Sequence, residues 1–396
     1  MASTSVTSET KQTFKTTTTT TFDEIFNKLP NSLPRRVTQD TKRSLLPLDK
    51  KLLTELSSFH SIVPAQFTMD DIPVQAFERQ INRANYLSED SIVDRYGIPR
   101  REIGKGCFGT AYKLMRLSDL HPFTVKYVSF TSTPLLTKSM VLREFYYTRR
   151  LSSKYVARSL DLMISSSRPD EMMIVQDYAA GIDLFDAITK NLSKFRSIRY
   201  SERIVKQVIE AICHCHSEGI GHNDIKLENI RYSPMTDQIK LIDFGLSTRL
   251  AELATEENIS YLMSSGTPGL LDHNCRKALP DCTMFFGDTT VKRMSMAKDM
   301  FALGLLAFSV ISRGNSLWDN SDFEDRDYCT FFETRELTQM IHYIRDVEGD
   351  RQDRAIMFKP VLEKMVEPQD GRRLTFSNLV KSDWYTSIYE LGDSKY

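Results

Sequence analysis

The residues best suited to chemistry lie in the stretch GHNDIKLEN, positions 221–229. Asp224 and Asn229 are five residues apart, and Lys226 lies between them. A carboxylate in such a loop can accept a hydroxyl proton, an amide can help to hold a metal ion, and a lysine can stabilise a transferring phosphoryl group. The pattern therefore predicts that Asp224 and Lys226 are catalytic and that Asn229 is a metal ligand.

A second acidic residue, Asp243, opens the tripeptide DFG at the end of the β-branched run IKLI. It follows Asn229 by 14 residues. Carboxylate and amide oxygens suit Mg²⁺, which keeps several waters and takes only one or two protein carboxylates. The spacing predicts a magnesium site built from Asp243 and Asn229.

Three glycines form the pattern G-x-G-x-x-G in IGKGCFGTAYK. Such triplets also serve dinucleotide sites, where they end a strand and open a helix. Here they lie between two strand-like runs, which favours a hairpin. Two interpretations stay open at this point: a hairpin whose backbone amides approach phosphates, and a plain glycine-rich hairpin. The residues predicted to contact the nucleotide in this segment are Ile103, Gly104, Lys105, Gly106, Cys107, Phe108, Gly109 and Ala111.

Lys126 lies in the next strand-like run, FTVKYVSF, and Glu144 lies in the helical run VLREFYYTRRL. A lone lysine in an alternating strand is normally solvated. An inward Glu144 that forms a salt bridge with Lys126 would hold the ammonium group against the α- and β-phosphates of a nucleotide. The sequence therefore predicts a catalytic pair.

The elements that must position these residues change in type along the chain. From Arg101, short β-branched and apolar runs predict antiparallel strands, interrupted by one helical segment, TKSMVLREFYYTRRL. After Asp183, helical patterns dominate, among them YSERIVKQVIEAICHCHSEG. The coarse architecture predicted is a small sheet-rich lobe followed by a larger helical lobe.

The composition is that of an ordinary globular protein. Of 396 residues, 41% are hydrophobic, and Lys+Arg and Asp+Glu both total 52. This balance gives no global field that would draw the chain to nucleic acid or an anionic membrane, so neither partner is expected. The apolar run at 300–311 is shorter than the roughly 20 residues that cross a bilayer and predicts a buried core helix.

The six cysteines show no disulfide-framework spacing, and the N-terminus has no apolar secretory signal. An intracellular location, cytoplasmic or nuclear, is expected. Residues 1–44 are predicted to be a disordered, Thr/Ser-rich leader, and residues 389–396 a tail. Leucines at helical spacing predict a helical extension over 45–97, through which a regulatory partner could bind.

In their order along the chain, these motifs resemble those of the eukaryotic-type protein kinases over residues 98–388. The resemblance implies an α+β, two-lobed protein-kinase-like fold. The N-lobe, 98–178, would be a small antiparallel sheet with one main helix, and the C-lobe, 179–388, would be mostly helical. It also implies ATP and Mg²⁺ as the ligands of the site.

The same resemblance assigns further roles. The segment DYAAGIDLF looks like the family's hinge, which would make Gln176 the gatekeeper. Asp177 to Ala179 would contact adenine, and Asp183 would contact the ribose. Asp299 resembles the aspartate that anchors the catalytic loop.

The substrate class implied is protein Ser/Thr hydroxyls. Lys226, two residues after Asp224, is the form found in Ser/Thr kinases, and Thr267 in SGTPG matches the threonine that bridges the catalytic aspartate and lysine in them. Two alternatives stay open. One is a pseudokinase scaffold, and the other is a small-molecule kinase of the aminoglycoside or choline type, which also lacks an arginine before the catalytic aspartate.

The chain departs from the family pattern at several positions. Asn223 replaces the usual arginine, Ala111 a valine and Thr124 an alanine, and GLLDHN stands where A-P-E is usual. The glutamate that would pair with an arginine of the Arg373 type is therefore missing, and Asp272 is a candidate substitute. These departures suggest a fast-diverging lineage. A viral origin is one interpretation, and the protein would then act in a host cell.

Overall fold

The computed structural model describes residues 59–61, 91–106, 109–129, 134–165, 171–190, 193–251, 262, 266–267, 290–319, 325–368 and 371–388. The predicted leader and tail lie outside these ranges. So do Cys107 and Phe108, predicted to contact the nucleotide, and Asp272.

A six-stranded antiparallel sheet forms the N-terminal lobe, as predicted for its main strands. The strands are β1 (Phe59–Ser61), β2 (Ile98–Gly106), β3 (Gly109–Met115), β4 (Pro122–Ser129), β5 (Ser159–Ser165) and β6 (Glu171–Asp177), in the spatial order β1-β5-β6-β4-β3-β2. Gly106 and Gly109 face each other across the hairpin that joins β2 and β3. The glycine-rich segment is therefore a hairpin and does not open a helix.

The segment that precedes β2 along the chain differs from the sequence prediction. Residues 59–61, predicted as helix, form β1, with Phe59 opposite Ser165 of β5. An edge strand presents unpaired N–H and C=O groups, and pairing with them outweighs the local leucine spacing. A short helix, α1 (Ile92–Tyr96), packs on the same lobe, so the lobe includes residues before the predicted boundary at 98.

One long helix, α2 (Pro134–Arg150), packs on the sheet of the N-terminal lobe. Its apolar residues Val141, Leu142 and Phe145 form a buried cluster with side chains of β4, β5 and β6. This packing fixes the helix beside the strand that carries Lys126, and it buries Glu144 on the inner side of the helix.

The second lobe is mostly helical, as predicted. Its helices are α3 (Leu184–Thr189), α4 (Ile198–Ser217), α5 (Thr290–Ser312), α6 (Arg326–Thr334), α7 (Thr338–Arg345), α8 (Asp350–Met365), α9 (Phe376–Leu379) and α10 (Asp383–Thr386). Its strands are β7 (Ile182–Asp183), β8 (Ile220–Gly221), β9 (Ile230–Ser233), β10 (Gln238–Leu241) and β11 (Thr248–Arg249), in two small sheets ordered β10-β9-β7 and β11-β8. These short strands carry the loops that hold the polar residues of the site.

Helix α5 is the core of this lobe. Among the described residues it is the one helix long and apolar enough to cross a membrane, by length and composition. However, 78% of its most apolar window is buried inside the fold, and Met300, Phe301 and Phe308 are completely inaccessible. The run at 300–311 is thus a buried core helix, as predicted.

Two ion pairs join α4 to α8 and differ in burial. The inner pair is Glu202 with Arg354, whose Nε lies 2.8 Å from each carboxylate oxygen. Trp384 Nε1 also donates to Glu202, at 2.8 Å. The outer pair, Arg199 with Asp350, is largely exposed. The same two helices therefore offer a buried pair and an exposed one for comparison.

We expect Arg354→Ala to lower the free energy of unfolding by about 3–5 kcal/mol, because it leaves the buried Glu202 carboxylate without its cation. Arg199→Ala, the matched control in the exposed pair, should change it by about 1 kcal/mol or less. Urea denaturation of both variants measures the difference. Equal effects of the two substitutions would contradict this account.

Candidate active site

The loop between β8 and β9 is held by one buried carboxylate. Asp299 of α5 accepts the backbone N–H of Asn223 at 2.7 Å through Oδ1 and that of His222 at 2.9 Å through Oδ2. Oδ2 also lies 2.8 Å from His216 Nε2. These contacts hold the loop in a conformation in which Asn223 has a φ of 65°, a left-handed value that asparagine tolerates better than most residues.

The charge of Asp299 is stabilised by its partners. Burial alone would raise the pKa of this carboxyl, but hydrogen bonding and charge attraction from His216, together with the His222 N–H, lower its pKa below the ordinary value. The carboxylate is therefore a fixed negative charge at the base of the loop.

The predicted catalytic residues are assembled around Thr267. Asp224 Oδ1 accepts hydrogen bonds from Thr267 Oγ1 at 2.8 Å and from its N–H at 3.1 Å. Lys226 Nζ lies 2.8 Å from Asp224 Oδ2 and donates to Thr267 Oγ1 at 2.9 Å. Asn229 Nδ2 donates to Asp224 Oδ2 at 2.9 Å. The structure thus brings the carboxylate, the lysine and the amide into direct contact.

Lys126 lies between two carboxylates from different parts of the fold. Its Nζ is 2.7 Å from Glu144 Oε2 on α2 and 3.1 Å from Asp243 Oδ1, which follows β10. Burial disfavours the ammonium, but the attraction of the two carboxylates is stronger and raises the pKa of Lys126. The predicted Lys126–Glu144 pair is present, and Asp243 shares its cation.

Asp243 is ionised for the same reason. Burial alone would raise the pKa of its carboxyl, whereas the charges of Lys126 and His222 and a hydrogen bond from Lys126 lower it. Its φ of 63° lies in the left-handed region, so the backbone turns sharply as the chain leaves β10. The turn places the carboxylate beside Lys126.

A cleft of about 510 Å³ contains these groups. The residues predicted for the site that line it are Ile103, Gly104, Lys105, Gly109, Ala111, Lys126, Glu144, Gln176, Asp177, Ala179, Asp183, Asp224, Lys226, Asn229 and Asp243. Gly106 ends β2 at the hairpin. Most of the predicted site residues therefore share one cavity between the sheet and the helical lobe.

The cleft also contains a residue that the sequence analysis did not identify. Arg231 of β9 lines the cavity, donates to the carbonyl of Gly181, and lies opposite Asp183 in the β7–β9 pairing. Burial lowers the pKa of its guanidinium, and the nearby Asp183 opposes that shift. Alternation could have identified it, because Ile230 and Tyr232 are buried and Arg231 faces the other way.

Asn223, at the position where the family has an arginine, belongs to a neutral buried cluster. Its Nδ2 donates to Thr248 Oγ1 at 3.0 Å and to the Leu246 carbonyl at 3.2 Å. Its Oδ1 accepts from Ser295 Oγ of α5 at 2.8 Å. The side chain therefore ties the loop to β11 and to the core helix.

Arg373 is buried against α5. It donates to the backbone carbonyls of Ala297 and Glu367, each at 2.8 Å, and of Pro368 at 3.2 Å. Its guanidinium lies 5.0 Å from the centre of the Phe301 ring. Backbone carbonyl groups thus bind the Arg373 guanidinium. The glutamate with which such an arginine usually pairs is absent from the sequence GLLDHN.

A sheet lobe and a helical lobe that enclose a cleft with Lys126, Asp224, Asn229 and Asp243 define a kinase-type phosphotransferase architecture. Residues 99–385 match the family model described as protein kinase domain. This match spans most of the chain, and the chain belongs to the protein kinase family.

Several curated proteins are similar to the chain. CBL-interacting protein kinase 26 of Oryza sativa is 26% identical over 318 residues, which cover 77% of this chain and 57% of the rice protein. Calcium/calmodulin-dependent protein kinase type IV of Mus musculus is 24% identical over 287 residues, 72% of this chain and 54% of the mouse protein. The chain spans a little over half the length of these two relatives.

We expect Asp299→Asn to lower the free energy of unfolding by about 3 kcal/mol or more at pH 5, because the amide nitrogen would face N–H donors and the charge would be lost. The pKa of Asp299 is lowered in the folded protein, so its stabilisation is present above the ordinary value of 3.8 and is lost as the pH falls through the folded pKa. The difference between wild type and variant should therefore shrink from pH 5 to pH 3.

Urea denaturation at pH 5, 4 and 3 tests this expectation. Asp350→Asn is the control, because Asp350 forms an exposed ion pair that contributes little. A difference between wild type and Asp299→Asn that stays constant or grows at low pH would exclude the assigned charge.

Proposed function

We propose that this chain is an ATP- and Mg²⁺-dependent protein kinase that transfers the γ-phosphoryl group of ATP to Ser and Thr hydroxyls of proteins. The observation that carries the proposal is the bridge in which Thr267 contacts both Asp224 and Lys226, two residues that line the same cleft as Lys126. Lys126 with its two carboxylates suits a polyphosphate, and Asp224 suits a hydroxyl acceptor.

The oxygen donors of the site fit Mg²⁺. Asn229 uses its Nδ2 to bind Asp224, so its Oδ1 is the atom it can offer to a metal. The Asp243 side chain is 36% exposed, and its pKa is lowered, so it offers a carboxylate. Asn229 and Asp243 would hold the ion, and a bound Mg²⁺ neutralises charge on the nucleotide phosphates.

The protein side chains then share the work of positioning and charge stabilisation. Lys126 binds the phosphates beside the amides of the glycine-rich hairpin, and Asp177, Ala179 and Asp183 bind the nucleoside. Asp224 orients the acceptor hydroxyl and takes its proton as the new O–P bond forms and the bond between the γ-phosphorus and the bridging oxygen breaks, which releases ADP. Lys226 stabilises the transferring phosphoryl group, which lowers the barrier without covalent chemistry by the protein.

The two alternatives are less well supported. A pseudokinase is expected to lack one of Lys126, Asp224, Asn229 or Asp243, and the cleft contains all of them. A small-molecule kinase accounts for Asn223, but the Lys226–Thr267 contact favours a protein substrate. An intracellular location and a regulatory partner for residues 45–97 stay predictions from the sequence.

We expect Asp224→Asn to lower kcat by about 10²-fold or more, because positioned proton transfer contributes about 10² to 10⁴. Initial rates of radiolabelled phosphate transfer to a generic protein substrate measure this loss. Asp350→Asn, on the surface of the helical lobe, should retain the wild-type rate. Full activity of Asp224→Asn would refute the assignment, and transfer by the wild type to choline or an aminoglycoside alone would support the small-molecule alternative.

We also expect activity without phosphorylation of the hydroxyl residues that follow Asp243, namely Thr248, Thr255, Ser260, Ser264 and Ser265. Asn223 cannot replace the charge with which an arginine binds a phosphate. Thr248 is buried and bonded to Asn223 and Ser295, so it is not accessible to another kinase. The other candidates, Thr255, Ser260, Ser264 and Ser265, lie outside the described residues.

The test is phosphatase treatment followed by initial-rate measurement, with phosphate content checked by mass spectrometry. The treated enzyme should retain its activity within about twofold, because residue 223 is an asparagine and has no positive charge that a phosphate would balance. Untreated and mock-treated enzymes are the controls. Loss of activity that returns on rephosphorylation would overturn the expectation.

A further inference from the structure

At one wall of the cleft, four buried polar side chains join α2 to the sheet. They are Glu144 and Thr148 of α2, Ser159 of β5 and Gln176 of β6, and their exposed fractions are 2%, 0%, 1% and 7%. Polar groups at this depth destabilise a fold unless they are hydrogen-bonded. Their contacts with one another therefore decide whether they weaken or strengthen the lobe.

The hydrogen bonds among these side chains begin and end on Glu144. Gln176 Nε2 lies 3.2 Å from Glu144 Oε1 and 3.3 Å from Ser159 Oγ, and donates to both. The hydroxyls of Ser159 and Thr148 are hydrogen-bonded to each other. Thr148 Oγ1 donates to the main-chain carbonyl of Glu144 at 2.6 Å. A closed ring thus connects the Glu144 carboxylate to the backbone of its own helix through two strands.

The position of each residue follows from the secondary structure. Ser159 and Gln176 are direct partners in the β5–β6 pairing, so their side chains lie on the same face of the sheet. Gln176 is also opposite Thr124, two residues before Lys126, so that face is the one that carries Lys126. Glu144 and Thr148 are four residues apart and share one side of α2.

The ring gives the Glu144 carboxylate a second hydrogen-bond partner, which opposes the cost of burying its charge. Burial raises the pKa of Glu144, while Lys126 and the hydrogen bond from Gln176 oppose that shift. Lys126 contacts Oε2 and Gln176 contacts Oε1, so each oxygen has its own partner. Replacing Gln176 by an apolar residue would remove the bond to Oε1 at a buried position.

We propose that Gln176, supported by Ser159 and Thr148, is a positioning residue. It keeps the Glu144 carboxylate in contact with Lys126, and it holds α2 against the sheet. Gln176 acts through Glu144 and does not take part in the transfer of the phosphoryl group. The catalytic consequence rests on the proposed function, whereas the effect on α2 does not. Residue 176 thus couples the position of α2 to the binding of the nucleotide phosphates.

The first test is Gln176→Leu, which is similar in size and lacks the amide. We expect about tenfold lower kcat/KM for ATP, with most of the change in KM, because a hydrogen bond to a charged group is lost. Amide hydrogen exchange in α2 should become about tenfold faster in the folded protein, because the helix opens more often. The dissociation constant of a non-hydrolysable ATP analogue should rise by a similar factor.

Gln207→Leu is the matched control. Gln207 is another glutamine with 7% exposure, and it donates to the Asp237 carbonyl and accepts from the Ile239 N–H in the helical lobe. Its replacement should lower the melting temperature while leaving KM for ATP and the exchange of α2 unchanged. A general loss of stability is thereby separated from a loss of position.

A second pair of variants tests the ring at another member. Thr148→Val keeps the shape but removes the hydroxyl and should reproduce the faster exchange of α2 and the higher KM. Thr148→Ser keeps the hydroxyl and should restore both toward wild type. Wild-type exchange and KM in the valine variant, with faster exchange and a higher KM in the serine variant, would show that the methyl group, and not the ring, matters.

The outcomes separate this inference from the proposed function. If wild-type protein transfers phosphate to no protein, the proposed function fails, but hydrogen exchange and analogue binding still decide the role of Gln176. If wild type is active and Gln176→Leu retains wild-type KM, analogue affinity and exchange of α2, the positioning role is overturned.

Discussion

The site depends on one electrostatic arrangement, a lysine ammonium placed between two carboxylates from different parts of the fold. Lys126 belongs to the sheet, Glu144 to α2, and Asp243 to the helical lobe. A buried cation without partners would be strongly disfavoured, so the three groups are stable only when the sheet, the helix and the second lobe are correctly placed. The ammonium group that joins the two lobes through these ion pairs is also the group that suits the phosphates of a nucleotide.

A second carboxylate performs a comparable task beneath the catalytic loop. Asp299 binds backbone N–H groups and so fixes the loop itself, whatever its side chains are. The short 222–229 loop can then place Asp224, Lys226 and Asn229 without strand or helix hydrogen bonds for most of its residues. Because α5 lies in the core, a rigid element determines the geometry of an irregular one.

The residues that the motifs specify were predictable, and so was the Lys126–Glu144 pair, whereas other contacts that depend on packing were not. Asp224, Asn229 and Asp243 were identifiable because their spacing along the chain is the motif. Arg231 and the partners of Gln176 were not, because contacts such as Ser159 with Gln176 follow from strand register, which a single sequence does not specify. The strand at 59–61 was predicted as helix, since its pairing is supplied by the edge of β5, far along the chain. The order of the two lobes was predictable, because the change from strand-like to helical patterns is itself a sequence feature.

Two clusters of neutral side chains occupy positions on which the geometry of the site depends. One joins Asn223 to Thr248 and Ser295 beneath the catalytic loop, and the other joins Gln176 to Ser159 and Thr148 at one wall of the cleft. Neutral hydrogen-bonded groups are much less costly to bury than charges, and they need no added phosphate or ligand to be satisfied. An arginine at position 223 would instead require an anion to balance its charge. Both clusters therefore stabilise the geometry of the site with hydrogen bonds to side chains and backbone groups that the fold already contains.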